Sequence, residues 1–394
     1  MKRGLVPELV ARQQTFIDWR RQIHAHPETA FEEFKTAALV EDELRRIGLD
    51  VSTGHARTGV VATLAADQPG PSIALRADLD ALNMTELNEI EHCSTHPGKM
   101  HACGHDGHTV MLLAAATHLA KHRPKSGTVH FIFQPAEENE GGGRVMIEEG
   151  VLDMFPIDEA YGMHNWPALP SGVFAVHDGP AMASADRFQI TLRGRGGHGA
   201  MPHQTIDPVV ASAHLIQALQ TIVSRNVKPS DAAVVSVTRI QAGETFNVIP
   251  ESVELLGTAR SFNPAVRDLI EERLTALSEQ IAAAFGLQAE VNYRRGYPPT
   301  INTSAQANVA ARVAAQVVGA SSVRRDLPPS MGAEDFSYFL QERPGCYVWL
   351  GSGQGPDSPG LHHPRFDFND DVLVTGASYW VRLVEERLGG AVTA

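Results

Sequence analysis

Between residues 187 and 300 the chain runs strand, helix, strand, strand, helix, strand, and that order restricts the fold more than any other feature. RFQITLRGRGGHGAMP (187–202) reads as a strand opening into a glycine-rich loop, and 207–224 as a helix. AAVVSVTRIQAG (232–243) and SVELLGTARSF (252–262) read as strands, 264–285 as a helix, and QAEVNYRRGYPPT (288–300) as the last strand. The order is that of a ferredoxin-like αβ domain. Before it, amphipathic helices are expected at 8–24 and 32–48, the second closed by Gly48. Strands follow at 58–66 and 72–79, then a helix at 106–122 and a β-rich run, GTVHFIFQPAEE (127–138). From about residue 301 this first pattern resumes, with a helix at 304–319, a strand at CYVWLG and a closing helix at 370–388. Near-continuous apolar strands alternating with helices imply a mixed sheet covered on both faces. The expected architecture is therefore α/β: a discontinuous first domain (1–184 and 300–394) with a second one (185–299) inserted into it. A length of 394 residues agrees, since it exceeds what one hydrophobic core usually holds.

Charge and composition remove several functions. The net charge is −13 and no Lys/Arg run is long enough to grip phosphates, which argues against nucleic acid as a partner. No stretch of 18 apolar residues exists to span a membrane. MKRGLVPELVARQQ lacks the apolar core of a signal peptide. Three cysteines, Cys93, Cys103 and Cys346, are odd in number and widely spread, so a reduced, cytoplasmic setting is expected rather than a disulfide framework.

The chemistry concentrates at the ends of the expected strands. MHACGHDGHTV (100–110) offers Cys103 and His105 two positions apart, with no second cysteine nearby to complete a zinc finger. Glu137 and Glu138 follow the apolar strand VHFIF, where a solvated surface pair is less natural, and in open α/β sheets functional residues gather beyond strand ends. His164 in YGMHNWP and His362 in PGLHHP complete a set of soft and borderline donors. Taken singly, each has a plainer reading: a buried His is usually a hydrogen-bonded core residue, and a lone Cys a small hydrophobe. Together they point to metal.

The motifs RRQIHAHPE, RADLDAL, MHACGHDGH, FQPAEE, GMHNWP, GGHGAMPH, NVIP, MGAEDFSYF and LHHPRFDFND occur in that order. In them the chain resembles the metal-dependent aminoacylase and carboxypeptidase superfamily from about residue 15 to 385. Its hippurate hydrolase and indole-acetyl-amino-acid hydrolase branch is the nearest in pattern. The resemblance implies a catalytic domain holding two divalent metal ions per subunit and an inserted lid or dimerisation domain. It implies metal ligands Cys103, His105, Glu138, His164 and His362, with Glu137 as general base. His198, in the GRGGHGAMPH loop, matches the histidine that serves the oxyanion from the lid, often across a dimer interface. Asn247 and Arg260 match positions that contact the substrate's carboxylate or carbonyl. The wider superfamily has His-x-Asp where this chain has Arg76-Ala-Asp78. Cys103 stands in for that histidine, which leaves open both an orienting role for Asp78 and the identity of the bridging atom.

The expected activity is hydrolysis of the amide of a small N-acyl amino acid, hippurate-like or N-acetyl, to a carboxylic acid and a free amino acid. A homo-oligomer, a dimer or a dimer of dimers, is expected. The mixed S/N/O donor set suits Zn²⁺, Mn²⁺, Co²⁺ or Ni²⁺. Three rivals differ in kind: a metallo-carboxypeptidase or dipeptidase on the same scaffold, a thiol hydrolase with Cys103 as nucleophile and His105 or His164 as base, and a non-catalytic metal- or peptide-binding protein. Gly196, Gly197 and Gly199 do not make a phosphate loop, because the Gly-Lys-Ser/Thr ending is missing.

Overall fold

The computed structural model describes residues 4–138 and 140–389; the outer ends of the expected first domain lie outside the described residues. The chain forms two compact units, one of Met1–Ala181, Ile301–Pro328 and Asp335–Ala394, the other of Met182–Thr300 and Pro329–Glu334.

The first unit is built on an eight-stranded mixed sheet. Its order is Asp50–His55, Gly59–Ala65, Ser126–Gln134, Gln68–Asp78, Glu159–Pro170, Gly345–Gly353, Phe174–Ala175 and Val323–Arg324. Gln68–Asp78 runs parallel to both Ser126–Gln134 and Glu159–Pro170, and Gly345–Gly353 runs parallel to Glu159–Pro170. These central strands are buried on both faces, in keeping with the apolar-rich stretch VHFIF. The helix His105–Leu119 is buried on every side except at His118, consistent with the apolar run VMLLAAA at its centre. The closing helix is Leu373–Leu388.

Two expectations shift. The helix expected at 8–24 is two, Pro7–Ala11 and Gln13–Ala25, divided at Arg12, whose φ of −108° and ψ of 10° leave the helical region. The sheet also holds a strand, Glu159–Pro170, that the pattern did not announce. EAYGMHNWPALP carries Gly and two Pro and no alternation, so it has little β signal of its own. Neighbouring strands on both sides, not local propensity, make it a strand.

The second unit is ferredoxin-like. Asp186–Arg193, Pro208–Thr221, Ala233–Ala242, Ser252–Ser261, Pro264–Ala284 and Gln288–Arg295 follow one another. The four strands stand in the order Ala233–Ala242, Ser252–Ser261, Asp186–Arg193, Gln288–Arg295, antiparallel throughout. Alternate residues of Asp186–Arg193 (Phe188, Ile190, Leu192) point into a core shared with Leu215, Leu219, Ile270 and Leu274. Both helices start on the same device: Asp207 and Asn263 accept from the backbone N–H of Val209 and Ala265, and a proline fills the first helical position.

Candidate metal centre

The first unit gathers six acid, thiol and imidazole groups from separate parts of the chain. Gln68–Asp78 ends in Asp78, with Asp80 two residues further on, and Ser126–Gln134 stops at Pro135, which cannot extend a strand ladder. The following turn puts Ala136 at φ 55°, an uncommon region for alanine, and so delivers Glu137 and Glu138 side by side. Glu33 fixes that turn, its carboxylate accepting from the N–H of Ala136 and from Thr58 Oγ1. On the other side Gly104, at φ 98°, starts the helix His105–Leu119, and a Cβ there would overlap the Asn165 side chain. His362 is a second non-glycine residue in the left-handed region (φ 61°), held by its N–H to Ala102 O at 2.8 Å. Strained backbone of this kind persists where surrounding structure enforces it.

The donor atoms of Cys103, His105 and His164 lie within 4.8 Å of one another, as do those of Cys103, Glu138 and His362, and those of His105, Glu137 and Glu138. All the ligands implied by the resemblance are thus brought together, Glu137 with them. Cys103, His105 and Glu138 each belong to two of these groups. Cys103 Sγ is 3.2 Å from His164 Nε2, and His362 Nε2 is 3.1 Å from Glu138 Oε1. Asp78, His105 and His108 make a further group of the same kind.

The hydrogen bonds decide which nitrogens face the cluster. His105 Nδ1 lies 2.9 Å from Asp80 O, and His164 Nδ1 lies 2.6 Å from Asn165 O. An oxygen partner makes Nδ1 the donor in each ring and turns Nε2 toward the cluster. His105 Nε2 is buried and takes no hydrogen bond among the described residues. Glu138 Oε1 is likewise buried, and its approach to His362 lacks hydrogen-bond geometry. A buried lone pair without a partner is costly, and a cation would satisfy both atoms. His108 differs, since Nδ1 faces Asp78 Oδ1 at 2.6 Å and Nε2 accepts from Asn165 N–H at 2.9 Å. Both of its nitrogens are engaged.

Electrostatics agree with cation binding. Burial opposes charge on His105, yet Asp78, Asp80 and Glu138 together outweigh it and push the imidazole up to about 10. Burial, reinforced by Glu138, Glu137 and Asp78, drives the Cys103 thiol well above its ordinary range. Such a thiol is a poor free nucleophile, against the thiol-hydrolase reading. The same negative surroundings suit a thiolate that ligates a divalent ion. The donor set therefore fits two closely spaced cations.

Two residues with no role in the sequence reading, Asp80 and Asp335, hold this arrangement. Asp80 accepts the backbone N–H groups of Glu137 (3.0 Å) and Glu138 (2.9 Å) while facing His105 Nδ1, so one carboxylate aligns three site residues. Asp335 binds Arg76 Nη2 at 2.7 Å, and Arg76 Nη1 in turn reaches Asp78 Oδ2 at 2.8 Å. Asp80 and Asp335 both lie inside motifs already singled out, RADLDAL and MGAEDFSYF, so their acidity was the available signal.

The sequence profile of peptidase family M20/M25/M40 matches residues 74–386. The chain belongs to that family. Among its relatives is N-acetyl-L-cysteine deacetylase of Bacillus subtilis (strain 168), 40% identical over 381 residues that cover 95% of this chain and 88% of that protein. Hippurate hydrolase of Campylobacter jejuni is 38% identical over 380 residues, covering 96% and 98%. A crystal structure of the Bacillus subtilis YXEP protein, described as a dinuclear metal binding peptidase from the M20 family, has a TM-score of 0.85 at 36% identity and covers 97% of this chain and 99% of that one.

The remaining M20 site candidates belong to the second unit. His198 sits on the two-residue strand Gly197–His198, paired with Val248–Ile249, and is exposed. Its Nδ1 accepts the N–H of Ala200 at 3.0 Å, which places the ring proton on Nε2, ready to donate. Asn247 is tied to the same ribbon through Gly199 N–H to its carbonyl at 2.8 Å. Arg260 is half-buried and donates to Thr258 Oγ1 and Ala259 O rather than to a carboxylate. Burial holds its guanidinium below the usual range.

Proposed function

We propose that this protein is a binuclear metal-dependent amidohydrolase that cleaves small N-acyl amino acids to a carboxylic acid and a free amino acid. The convergence of Cys103, His105, Glu138, His164 and His362 in overlapping donor groups, one of which includes Glu137, carries this reading, and the activities named for the Bacillus and Campylobacter relatives support the substrate class. Cys103, His105, Glu138, His164 and His362 would hold the ions. When bound, the cations supply Lewis acidity, which lowers the pKa of water and polarises the substrate carbonyl.

The chain's own groups do the rest. Glu137 takes a proton from the attacking water as its oxygen bonds to the carbonyl carbon, then gives that proton to the amine nitrogen as the C–N bond breaks. His198 Nε2–H is assigned to the oxyanion. Arg260 and Asn247 are assigned to the free carboxylate of the amino-acid portion, a planar anion suited to a guanidinium. No second charged group in the motifs claims the acyl side, so an uncharged acyl group such as benzoyl or acetyl is the better fit.

No helix among the described residues is long and apolar enough to cross a membrane. The free thiols of Cys93, Cys103 and Cys346 favour a cytoplasmic setting. We also read the protein as a homo-oligomer built from dimers. Ala233–Ala242 is an edge strand, and Ile240, Phe246 and Val248 in and after it are exposed at 57%, 99% and 51%. An apolar edge of that kind is usually covered.

Dialysis against a chelator should remove activity and re-addition of Mn²⁺, Zn²⁺, Co²⁺ or Ni²⁺ should restore it. Cys103→Ser and His164→Ala should lower metal content and activity together. Full activity in metal-free protein would overturn the proposal. The substrate assignment has its own test: kcat/KM is compared for an N-benzoyl amino acid and its amide. The amide should lose about 2–5 kcal/mol, as when a buried charge loses its partner, and Arg260→Ala should shrink that gap. Equal rates for acid and amide in the wild type would make a general amidase the better description.

A further inference from the structure

A second cluster of metal-type donors lies at the opposite end of the helix His105–Leu119 from the proposed catalytic ligands. His118 is in the last turn of that helix and His122 follows one turn later, so the two imidazoles share a face, stacked with centroids 4.3 Å apart. Glu8, on the short helix Pro7–Ala11, reaches between them. Its Oε2 is 3.0 Å from His118 Nδ1 and 3.0 Å from His122 Nε2. The three donor atoms lie within 4.8 Å of one another.

We propose that Glu8, His118 and His122 form a peripheral site for one divalent transition-metal ion that clasps the helix Pro7–Ala11 to the core helix. Two imidazoles and a carboxylate make a donor set suited to Zn²⁺, Ni²⁺ or Cu²⁺. Bonds of about 2.0–2.1 Å in tetrahedral geometry put ligand atoms about 3.3 Å apart, so the observed 3.0 Å spacings need to open by only a few tenths of an ångström. On ion binding each imidazole gives up its hydrogen bond to Glu8 and carries its N–H on the outward nitrogen, which frees the inward lone pair. His122 is 58% exposed and Glu8 32%, so an ion has a path in and water can take a fourth position. Glu8 is held down to about 2, its hydrogen bond from Lys121 being the largest cause, so it is anionic at any working pH. Burial and the neighbouring His122 lower His118, keeping it neutral at pH 7. One feature opposes the ion: Lys121 Nζ donates to Glu8 Oε1 at 2.7 Å and brings a positive charge close. The affinity is therefore limited by Lys121, and its removal is a second probe.

The test uses the full chain with its catalytic metals loaded and Zn²⁺ as the added ion. Equilibrium dialysis with elemental analysis is run on wild type, His122→Ala and Lys121→Ala. None of these residues belongs to the catalytic machinery, and both substituted side chains are largely exposed. Wild type should hold one more Zn²⁺ per chain than His122→Ala, with affinity in the variant falling more than roughly tenfold, since even outer-shell changes cost 10–100-fold. Lys121→Ala should bind the extra ion up to about fivefold more tightly, the weight of an exposed ion pair. The extra ion should also raise the Tm of wild type but not of His122→Ala. Equal stoichiometry and affinity in wild type and His122→Ala overturns the proposal and reduces the cluster to an ion-pair clasp. Because the count is taken above the catalytic complement, the result is independent of whether the amidohydrolase reading holds.

Discussion

Glu137→Gln should lower kcat by about 10²–10⁴ while leaving the metal content unchanged. Glu137 is only 6% exposed, and its backbone N–H is pinned to Asp80 Oδ1 at 3.0 Å. The amide has the same shape, so the turn after Pro135 keeps its course and Asp80 keeps both of its N–H donors. Glu138, next door, retains its carboxylate and its own bond to Asp80 at 2.9 Å. What disappears is the carboxylate proposed to take a proton from water and return it to the amine. Kinetics and elemental analysis on the same preparation separate the two roles: a base loses rate alone, a ligand loses rate and metal together. A metal-loaded Glu137→Gln enzyme with near wild-type kcat would show that another group accepts the proton.

The two adjacent glutamates were conspicuous in the sequence because they come just after the apolar-rich stretch VHFIF. The insertion was legible for a similar reason. Alternation in Asp186–Arg193 and Ser252–Ser261, with Asp207-Pro208 and Asn263-Pro264 as helix starts, gives the ferredoxin-like order without any long-range knowledge. The strand carrying His164 was hidden because its β conformation comes from parallel neighbours on both sides, Gln68–Asp78 and Gly345–Gly353. Asp80 was hidden differently. Its work consists of accepting backbone N–H groups from residues 57 and 58 positions away, and no spacing rule in a single sequence links such partners. The break at Arg12 also escaped, since the apolar period continues across it from Leu9 to Phe16.

Asp335→Ala should destabilise the first unit by about 3–5 kcal/mol, the cost of taking one partner from a buried ion pair. Asp335 and Arg76 are 0% and 1% exposed at their side chains, and Nη2 meets Oδ1 at 2.7 Å. The same carboxylate accepts from Gln134 Nε2 at 2.8 Å and from Gly143 N–H at 2.8 Å, while Gln134 Oε1 accepts from Arg76 Nε at 2.9 Å. Alanine would withdraw acceptors from all three donors at once, and no solvent reaches them. Asp78 would still pair with Arg76, but that carboxylate also faces His108 at 2.6 Å and lies 3.8 Å from His105 Nε2. A guanidinium no longer anchored on Asp335 would pull on the residue that lines the metal-type cluster, so metal content should fall along with stability. Asp335→Asn keeps an acceptor in place and should lose less. Urea unfolding reads the effect as a lower midpoint at an unchanged slope, which signifies lost stability rather than a changed denatured state. A loss below about 1 kcal/mol in Asp335→Ala would mean that the remaining partners of Arg76, Asp78 and Gln134 among them, compensate it. The Arg76-Ala-Asp78 departure would then be neutral to the fold, and its place beside the cluster would have to be explained by the site chemistry alone.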